Sequence, residues 1–207
     1  MAAPSHTITT LPQLQALYGD VGEASVRKEV DHIHPAYRAW IEASPFAVLA
    51  TSGPDGLDAS PRGDPAGFVV VEDSKTLLLP DRRGNNRVDS LRNLLTDPRV
   101  ALLFMTPGVG ETLRVNGKAS ISTDPALLQR FAMDGKLPRC VLVIAVEAVY
   151  FQCARAIQRS KLWPPADADV KAKVPTAGAM LAALTADAID GAAYDKALPE
   201  RQRNTLY

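Results

Sequence analysis

Arginines and polar turn residues crowd one short stretch of the chain, LLLPDRRGNNRVDSLRNL, at residues 77–94. The pattern predicts a strand ending at Pro80, a tight Gly-Asn-Asn loop and a helix beginning near Arg87. Free N–H groups at such a helix start attract anions. Guanidinium groups add forked donors that suit phosphate oxygens, and the stretch supplies four of them, Arg82, Arg83, Arg87 and Arg92. The chemistry predicted here is anion binding.

The same spacing is also typical of a surface loop. In that alternative, Asn86 caps the helix, and the arginines are solvated or paired with Asp81 and Asp89. Spacing alone leaves both interpretations open.

A second polar set follows the predicted strand LDASPRGD, residues 57–64. Because side chains alternate between the faces of a strand, Asp58, Ser60, Arg62 and Asp64 share one face. That face could line a site for a polar ligand. The alternative is an exposed edge strand with an Arg62–Asp64 pair, and Pro61 favours an edge position.

Two further stretches are less specific. GETLRVNGKASIS (110–122) alternates apolar residues with polar ones from Arg114 onwards, which is typical of a strand with a solvated outer face. CARAIQRSKLWPP (153–165) is basic and ends in Trp163, an aromatic residue that either packs internally or covers a planar ligand.

Composition excludes several classes of protein. The 207 residues are 46% apolar, and 23 basic residues balance 23 acidic ones, so a nucleic-acid partner is not expected. No apolar run approaches the roughly 18–20 residues of a membrane span, and the first residues lack the features of a secretory signal. Cys140 and Cys153 have no metal or disulfide spacing, and the three histidines suggest no ligand set. We therefore expect a cytoplasmic protein with no membrane association and no metal site.

Hydrophobic periodicity predicts helices flanking a series of short strands. The predicted helices are 11–18, 23–43 (kinked or divided at Pro35), 86–95, 124–133 and 176–198, and residues 163–175 form a linker. The predicted strands are 46–51, 57–63, 67–72, 76–80, 99–105, 112–122 and 139–153. Strands without intervening helices favour an antiparallel sheet or small barrel. The last strand is apolar on both faces except at Glu147, so a helix or a second subunit should cover its outer face.

The chain resembles the pyridoxamine 5′-phosphate oxidase-like FMN-binding split-barrel family. The resemblance is carried by five strings, taken in order: ATSGPDG, DASPRGDP, PDRRGNNRVDSLRNLL, TPGVGETLRVNGKA and YFQCARAIQRSKLWPP. The resemblance extends over about residues 25–165, and is to the related flavoproteins more than to the vitamin-pathway oxidase. It implies a mainly β fold with flanking helices, a six-stranded antiparallel split β-barrel. It further implies an N-terminal helical segment packing on the barrel (1–44), an FMN-binding barrel (45–165) and a C-terminal linker and helix (166–207).

The resemblance also implies a homodimer with FMN at the subunit interface. Ser60 and Arg62 would meet the FMN phosphate, and Asp81 would lie at the strand end near the flavin edge. The loop and helix start that hold the ribityl phosphate match Asn85, Asn86 and Arg87. The strand reaching the ring from the partner chain matches Thr112, Leu113 and Arg114, and the late segment near the ring matches Ser160 and Trp163.

The activity that the resemblance implies is that of an FMN-dependent oxidoreductase acting on an unidentified small molecule, with NAD(P)H as a candidate donor. No side chain is nominated as a catalytic acid or base. The chain ends ERQRNTLY and lacks the oxidase's C-terminal arginine–histidine motif, so pyridoxal phosphate synthesis is not expected. The alternative is a non-catalytic module that binds flavin, deazaflavin or haem. For haem an axial ligand is not evident, since all three histidines precede the barrel.

Overall fold

The structure is a computed structural model that describes residues 6–84, 86–164 and 168–204. Nine helices lie in these ranges: α1 (Leu11–Gln15), α2 (Glu23–Arg27), α3 (Pro35–Ala43), α4 (Asp89–Leu94), α5 (Pro125–Arg130), α6 (Arg155–Ser160), α7 (Ala168–Lys173), α8 (Ala177–Leu184) and α9 (Gly191–Asn204). The same ranges contain seven strands: β1 (Phe46–Gly53), β2 (Gly56–Gly63), β3 (Val70–Asp73), β4 (Thr76–Asp81), β5 (Arg99–Met105), β6 (Thr112–Ser122) and β7 (Cys140–Gln152).

All the strands of the described ranges form one antiparallel sheet in the order β2-β1-β5-β6-β7-β4-β3. The mainly β class with flanking helices is therefore confirmed, but the sheet has seven strands and not six. The shortest strand, β3, is four residues long and lies at one edge of the sheet.

The two ends of the sheet approach each other through side chains. β2 is the first strand of the sheet order and β4 is next to the last. Arg62 of β2 forms an ion pair with Asp81 of β4 at 2.6 Å, and Asp64 and Arg82, which follow these strands, pair at 2.7 Å. We call these two contacts the closing ion pairs. They join edges that share no backbone ladder, so the barrel is split along this line.

The barrel interior is filled by alternate apolar residues of the strands and is covered by α3. Tyr37, Trp40 and Ile41 of α3 are fully buried against Leu49, Leu102 and other strand residues in one cluster. Met180 and Leu181 of α8 belong to the same cluster, so the C-terminal helices pack on the barrel as well.

The last strand is covered over part of its length only. Residues 140–142 are buried consecutively, and α5 supplies the cover because Leu127 and Leu128 pack with Val141, Val143 and Phe131. Further along, Ala145 and Glu147 are exposed. A helix therefore covers the first half of β7 as predicted, and cover of the second half by a second subunit stays a prediction.

The predicted N-terminal helix over 23–43 is two helices. Pro35 begins α3, and Val30 lies between the helices in a bridge to Val149 of β7. Val26 of α2 is 59% exposed, so its side chain is not part of the core. The division at Pro35 is confirmed, since proline lacks the N–H that a continuous helix needs.

The C-terminal third contains more helix than the pattern predicted. α6 occupies the basic stretch before Trp163, and α7 lies inside the predicted linker. The predicted tail helix is divided into α8 and α9. At the N-terminus of α8, the hydroxyl of Thr176 accepts a hydrogen bond from the N–H of Ala179, and Asp195 of α9 accepts from the N–H of Gly178.

None of the described helices is long and apolar enough to span a membrane.

Candidate functional site

A cavity of about 690 Å³ lies between β2, the end of β4 and the loop leading to α4. Its lining combines the polar face of β2 with the arginine-rich loop, two stretches that sequence analysis had treated separately. The charged and hydroxyl residues that line it are Asp58, Ser60, Arg62, Asp64, Asp81, Arg82, Arg83, Arg87, Asp89, Ser90 and Arg139. A cavity of this size is within the range of small-molecule sites.

β2 presents its polar face to the cavity as the alternation predicted. Asp58, Ser60, Arg62 and Asp64 are half-buried, whereas the residues between them are exposed. Pro61 lies on an edge strand, which is the position that tolerates its missing N–H. The alternative Arg62–Asp64 pair does not form. Each of these two side chains instead pairs with the β4 side of the cavity.

Arg62 is held by a network of side chains on the cavity wall. Its Nη1 donates to Asp81 at 2.6 Å and its Nη2 to the Ser90 hydroxyl at 3.2 Å, while Ser90 donates to Asp58 at 2.5 Å. The Nε–H of Arg62 is buried and has no partner among the described residues. Since buried donors are nearly always satisfied, this orphaned N–H is a candidate donor for an acceptor that the described residues do not supply.

The loop after β4 carries the remaining guanidinium groups. Arg82 donates to Asp64 at 2.7 Å and to the carbonyl oxygen of Phe131 at 2.6 Å, so it is fixed in the wall. Arg87 pairs with Asp89 at 2.8 Å, but its side chain is 73% exposed. An ion pair this exposed adds little to stability, so Arg87 can take another anionic partner at small cost.

The helix after this loop begins later than predicted. α4 starts at Asp89, and the residue before it, Val88, has a left-handed backbone (φ 53°) and makes no side-chain cap. Val88, and not Asn86, occupies the N-cap position, so the alternative in which Asn86 caps the helix is wrong. A β-branched residue such as Val88 with a left-handed backbone is conformationally strained, as is common in loops that form sites. The helix therefore begins two residues after the predicted start near Arg87, and its first residues, Asp89 and Ser90, line the cavity.

The cavity brings together Ser60, Arg62, Asp81, Asn86 and Arg87. Asn85 lies outside the described residues. The remaining five predicted residues do not line this cavity in the single chain; they are Thr112, Leu113, Arg114, Ser160 and Trp163.

Those five residues lie on β6 and around α6. Leu113 is fully buried in the core, and Arg114 donates to the Tyr150 hydroxyl at 2.9 Å. The hydroxyl of Ser160 donates to the carbonyl oxygen of Ile157 at 3.1 Å. The ring N–H of Trp163 donates to the carbonyl oxygen of Val109 at 3.0 Å. Trp163 is therefore anchored on the turn that precedes β6.

Sequence analysis missed two of the charged and hydroxyl residues that line the cavity. Ser90 links Arg62 to Asp58, and its place on α4 is visible only once α4 is known to pack against β2. Arg139 lines the cavity because β7 pairs with β4, with Cys140 opposite Asp81. The register of these two strands would have predicted Arg139, but sequence alone does not give that pairing.

The charges of the cavity also act on the buried thiol beside it. Burial raises the pKa of Cys140, the carboxylate of Asp81 raises it further, and the guanidinium of Arg62 opposes the change. A thiol with a raised pKa is a poor nucleophile, so Cys140 is a packing residue here.

Within the ranges described, no group of three or more histidine, cysteine or acidic residues is arranged to hold a metal ion. The cavity therefore offers hydrogen-bond donors for an oxyanion.

Comparison with known proteins identifies the family. Residues 33–153 match the family model described as "Pyridoxamine 5'-phosphate oxidase". The match covers more than half of the chain and includes every described residue of the cavity lining. The chain therefore belongs to the pyridoxamine 5′-phosphate oxidase family. No protein of curated function matches the sequence.

Several solved structures are similar in part. A variant of HupZ from Group A Streptococcus is 21% identical, with 58% of this chain and 99% of that chain covered and a TM-score of 0.48. A protein related to general stress protein 26, from Clostridium acetobutylicum, is 17% identical, with 55% of this chain and 83% of that chain covered and a TM-score of 0.42. An FMN-binding protein from Syntrophomonas wolfei is 14% identical, with 55% of this chain and 82% of that chain covered and a TM-score of 0.42. The family assignment rests on the family model.

Proposed function

We propose that this chain is a flavoprotein that binds FMN and acts as an FMN-dependent oxidoreductase. The observation that carries the proposal is the convergence of Arg62, Arg87, Ser60 and Asn86 on one cavity in a chain of this family. The phosphate of FMN is a dianion whose oxygens accept several hydrogen bonds at once. Guanidinium and hydroxyl donors from two separate stretches suit such a group.

The orphaned donor on Arg62 supports this assignment. Its Nε–H is buried without an acceptor, while its two Nη groups are occupied by Asp81 and Ser90. An oxygen of the FMN phosphate would satisfy it without breaking the closing ion pair. Each charge-assisted hydrogen bond contributes about 1.5–3 kcal/mol, or roughly ten- to a hundred-fold in affinity.

The flat ring of FMN needs an extended apolar wall. Nine of the twenty residues that line this cavity are aspartates or arginines, and its large apolar side chains are Phe68, Val88 and Leu91. We therefore propose that a second copy of the chain supplies the other wall, through the strand segment Thr112–Arg114 and the region of Ser160 and Trp163. In this homodimer the FMN lies at the subunit interface.

When bound, FMN supplies the electron-transfer chemistry. The residues of this chain bind and orient it: Arg62, Arg87 and Ser60 hold the phosphate end, and Asp81 fixes the guanidinium of Arg62. A partner chain's Arg114 would place a positive charge near the ring. No described side chain is assigned the role of acid or base. A cytoplasmic location is part of the proposal, supported by free thiols at Cys140 and Cys153, which persist in a reducing compartment.

Flavin binding is tested by replacing the two phosphate arginines. Arg62→Ala and Arg87→Ala should each lower FMN affinity about ten- to a hundred-fold, because each removes a charge-assisted donor. The measurement is the visible spectrum of the purified proteins together with titration by FMN, followed through quenching of flavin fluorescence.

Arg92→Ala is the matched control. Arg92 is exposed, follows the same loop and does not line the cavity, so its loss should leave FMN affinity unchanged. Circular dichroism of each variant establishes that it is folded. Stoichiometric flavin in both folded variants would show that the phosphate is not bound here, and a colourless wild-type protein that ignores added FMN would refute the proposal as a whole.

Turnover is tested separately from binding. Anaerobic mixing of the FMN-loaded protein with NADH or NADPH should bleach the flavin absorbance at a catalytic rate if the protein is an oxidoreductase with a nicotinamide donor. FMN that stays oxidised with both nucleotides would instead favour a module that binds flavin for storage or sensing.

A further inference from the structure

The cavity contains more positive charge than the flavin phosphate site uses. Five arginines line it against four aspartates. Each of the four carboxylates is already engaged: Asp81 by Arg62, Asp64 by Arg82, Asp89 by Arg87 and Asp58 by the Ser90 hydroxyl. Three of the five arginines are therefore paired with aspartates, and two arginines remain without a carboxylate partner among the described residues.

Those two are Arg83 and Arg139. In the part of the chain that the structure describes, neither forms an ion pair or a side-chain hydrogen bond, and both are exposed at the cavity. They come from adjacent strands. Arg83 follows the end of β4 by two residues, and Arg139 immediately precedes β7, with its backbone N–H donating to the carbonyl oxygen of Asp81 at 3.2 Å. β4 and β7 therefore bring both to the same end of the cavity wall.

We propose that Arg83 and Arg139 form a second oxyanion subsite, which binds the phosphate or carboxylate group of the small molecule that exchanges electrons with the flavin. The inference rests on the proposed function, because FMN carries one phosphate and Arg62 and Arg87 account for it. A second oxyanion must then belong to a different molecule, and the substrate class is an anionic metabolite.

Charge and geometry both favour this use of the pair. Two guanidinium groups at one wall repel each other, and neither is paired with a carboxylate of the described residues. A phosphate or carboxylate between them would replace that repulsion with forked, charge-assisted hydrogen bonds. The cavity, about 690 Å³, has room beside the flavin phosphate for a further group.

The test uses FMN-loaded protein and two probes, inorganic phosphate and acetate, titrated by calorimetry in a buffer free of both anions. With FMN bound, Arg62 is occupied, so the heat reports the second subsite. The double variant Arg83→Gln/Arg139→Gln should bind the preferred probe at least ten-fold more weakly than the wild type. Its FMN affinity should change less than three-fold. The probe that binds more tightly identifies the group as phosphate or carboxylate.

Arg92→Gln is the control, because it removes an exposed arginine outside the cavity and should leave both measurements unchanged. Equal probe binding in the wild type and the double variant, or no binding by the wild type, overturns the subsite while flavin binding stands. A double variant that loses FMN as well assigns the pair to the flavin phosphate and also overturns it. Failure of the proposed function looks different, since the wild type would then not bind FMN at all.

Discussion

Arg62 combines two tasks in one side chain. Its Nη groups hold Asp81 and Ser90, and its Nε–H, buried without a partner among the described residues, is the donor that we propose for the FMN phosphate. The alternation of β2 predicts which face Arg62 occupies. It does not predict the partner, because Asp81 is 19 positions away and approaches only after the sheet has curved. Local spacing favoured Asp64 instead, and that pair does not form.

A second residue, Glu111, is half-buried and immediately precedes β6. Burial raises the pKa of its carboxyl, and the nearby charge of Asp195 raises it further. An acid whose pKa is higher in the folded than in the unfolded protein destabilises the fold above its ordinary pKa and has no such effect below it. Glu111 therefore costs stability at neutral pH.

We expect Glu111→Gln to raise the melting temperature at pH 7.5, because the amide avoids burying a charge. The gain should shrink as the pH is lowered towards 4.5, where the wild-type carboxyl is itself neutral. Thermal unfolding followed by circular dichroism across this range measures the effect. Glu29→Gln, at an exposed position, serves as the control and should give no gain. A gain of equal size at every pH would contradict this account.

At the scale of elements, the period of apolar residues predicted each strand of the sheet, with small errors at the ends. It failed where tertiary packing decides the structure. The two apolar faces of β7 predicted cover by a helix or a second subunit; α5 covers the first half, and cover of the second half by a subunit stays a prediction. α6 and α7 are short helices in polar, basic or proline-flanked sequence, where no apolar stripe signals a helix.

The contact between α8 and α9 depends on glycine. A Cβ at Gly178 would overlap the backbone oxygen of Gly191 and the carboxylate of Asp195. We expect Gly178→Ala to lower the free energy of unfolding by about 1–3 kcal/mol, as other overpacked contacts do. Urea unfolding measures it. Gly22→Ala is the matched control, since a Cβ there meets no atom within 4 Å. Equal stabilities of the two variants would show that the helices separate without cost.

For the whole molecule, the order of the strands in the sheet is what the sequence could not supply. The resemblance in the order of motifs predicted the family, which the family model confirms. The position of Arg139 beside Asp81 follows only from the β4–β7 pairing. Thr112 and Trp163 lie outside the cavity of the single chain, so their predicted role depends on the proposed dimer.

Exposed leucines on the elements that build the cavity suggest where a second copy binds. Leu57 of β2 is 89% exposed, and Leu95, which follows α4, is 79% exposed. We expect the wild type to have twice the 22.2 kDa mass of the chain in light scattering. Leu57→Glu/Leu95→Glu should shift it to the single mass and weaken FMN binding at least ten-fold, because burying two charges opposes association.

Leu17→Glu replaces a leucine that is 66% exposed in the N-terminal segment and serves as the control. A wild type with the mass of one chain that still binds FMN tightly would contradict the shared site.

The closing ion pairs hold the two sheet edges together with the same arginine that we propose for anion binding. An anion that accepts only from the Nε–H of Arg62 leaves the contact with Asp81 intact. An anion that also takes the Nη1–H competes with that carboxylate and loosens the two edges of the sheet. By thermodynamic reciprocity, whatever tightens the edges then weakens such an anion by the same free energy. The strength of the contact between the two sheet edges and the affinity of the proposed site for such an anion would therefore change together, in opposite directions.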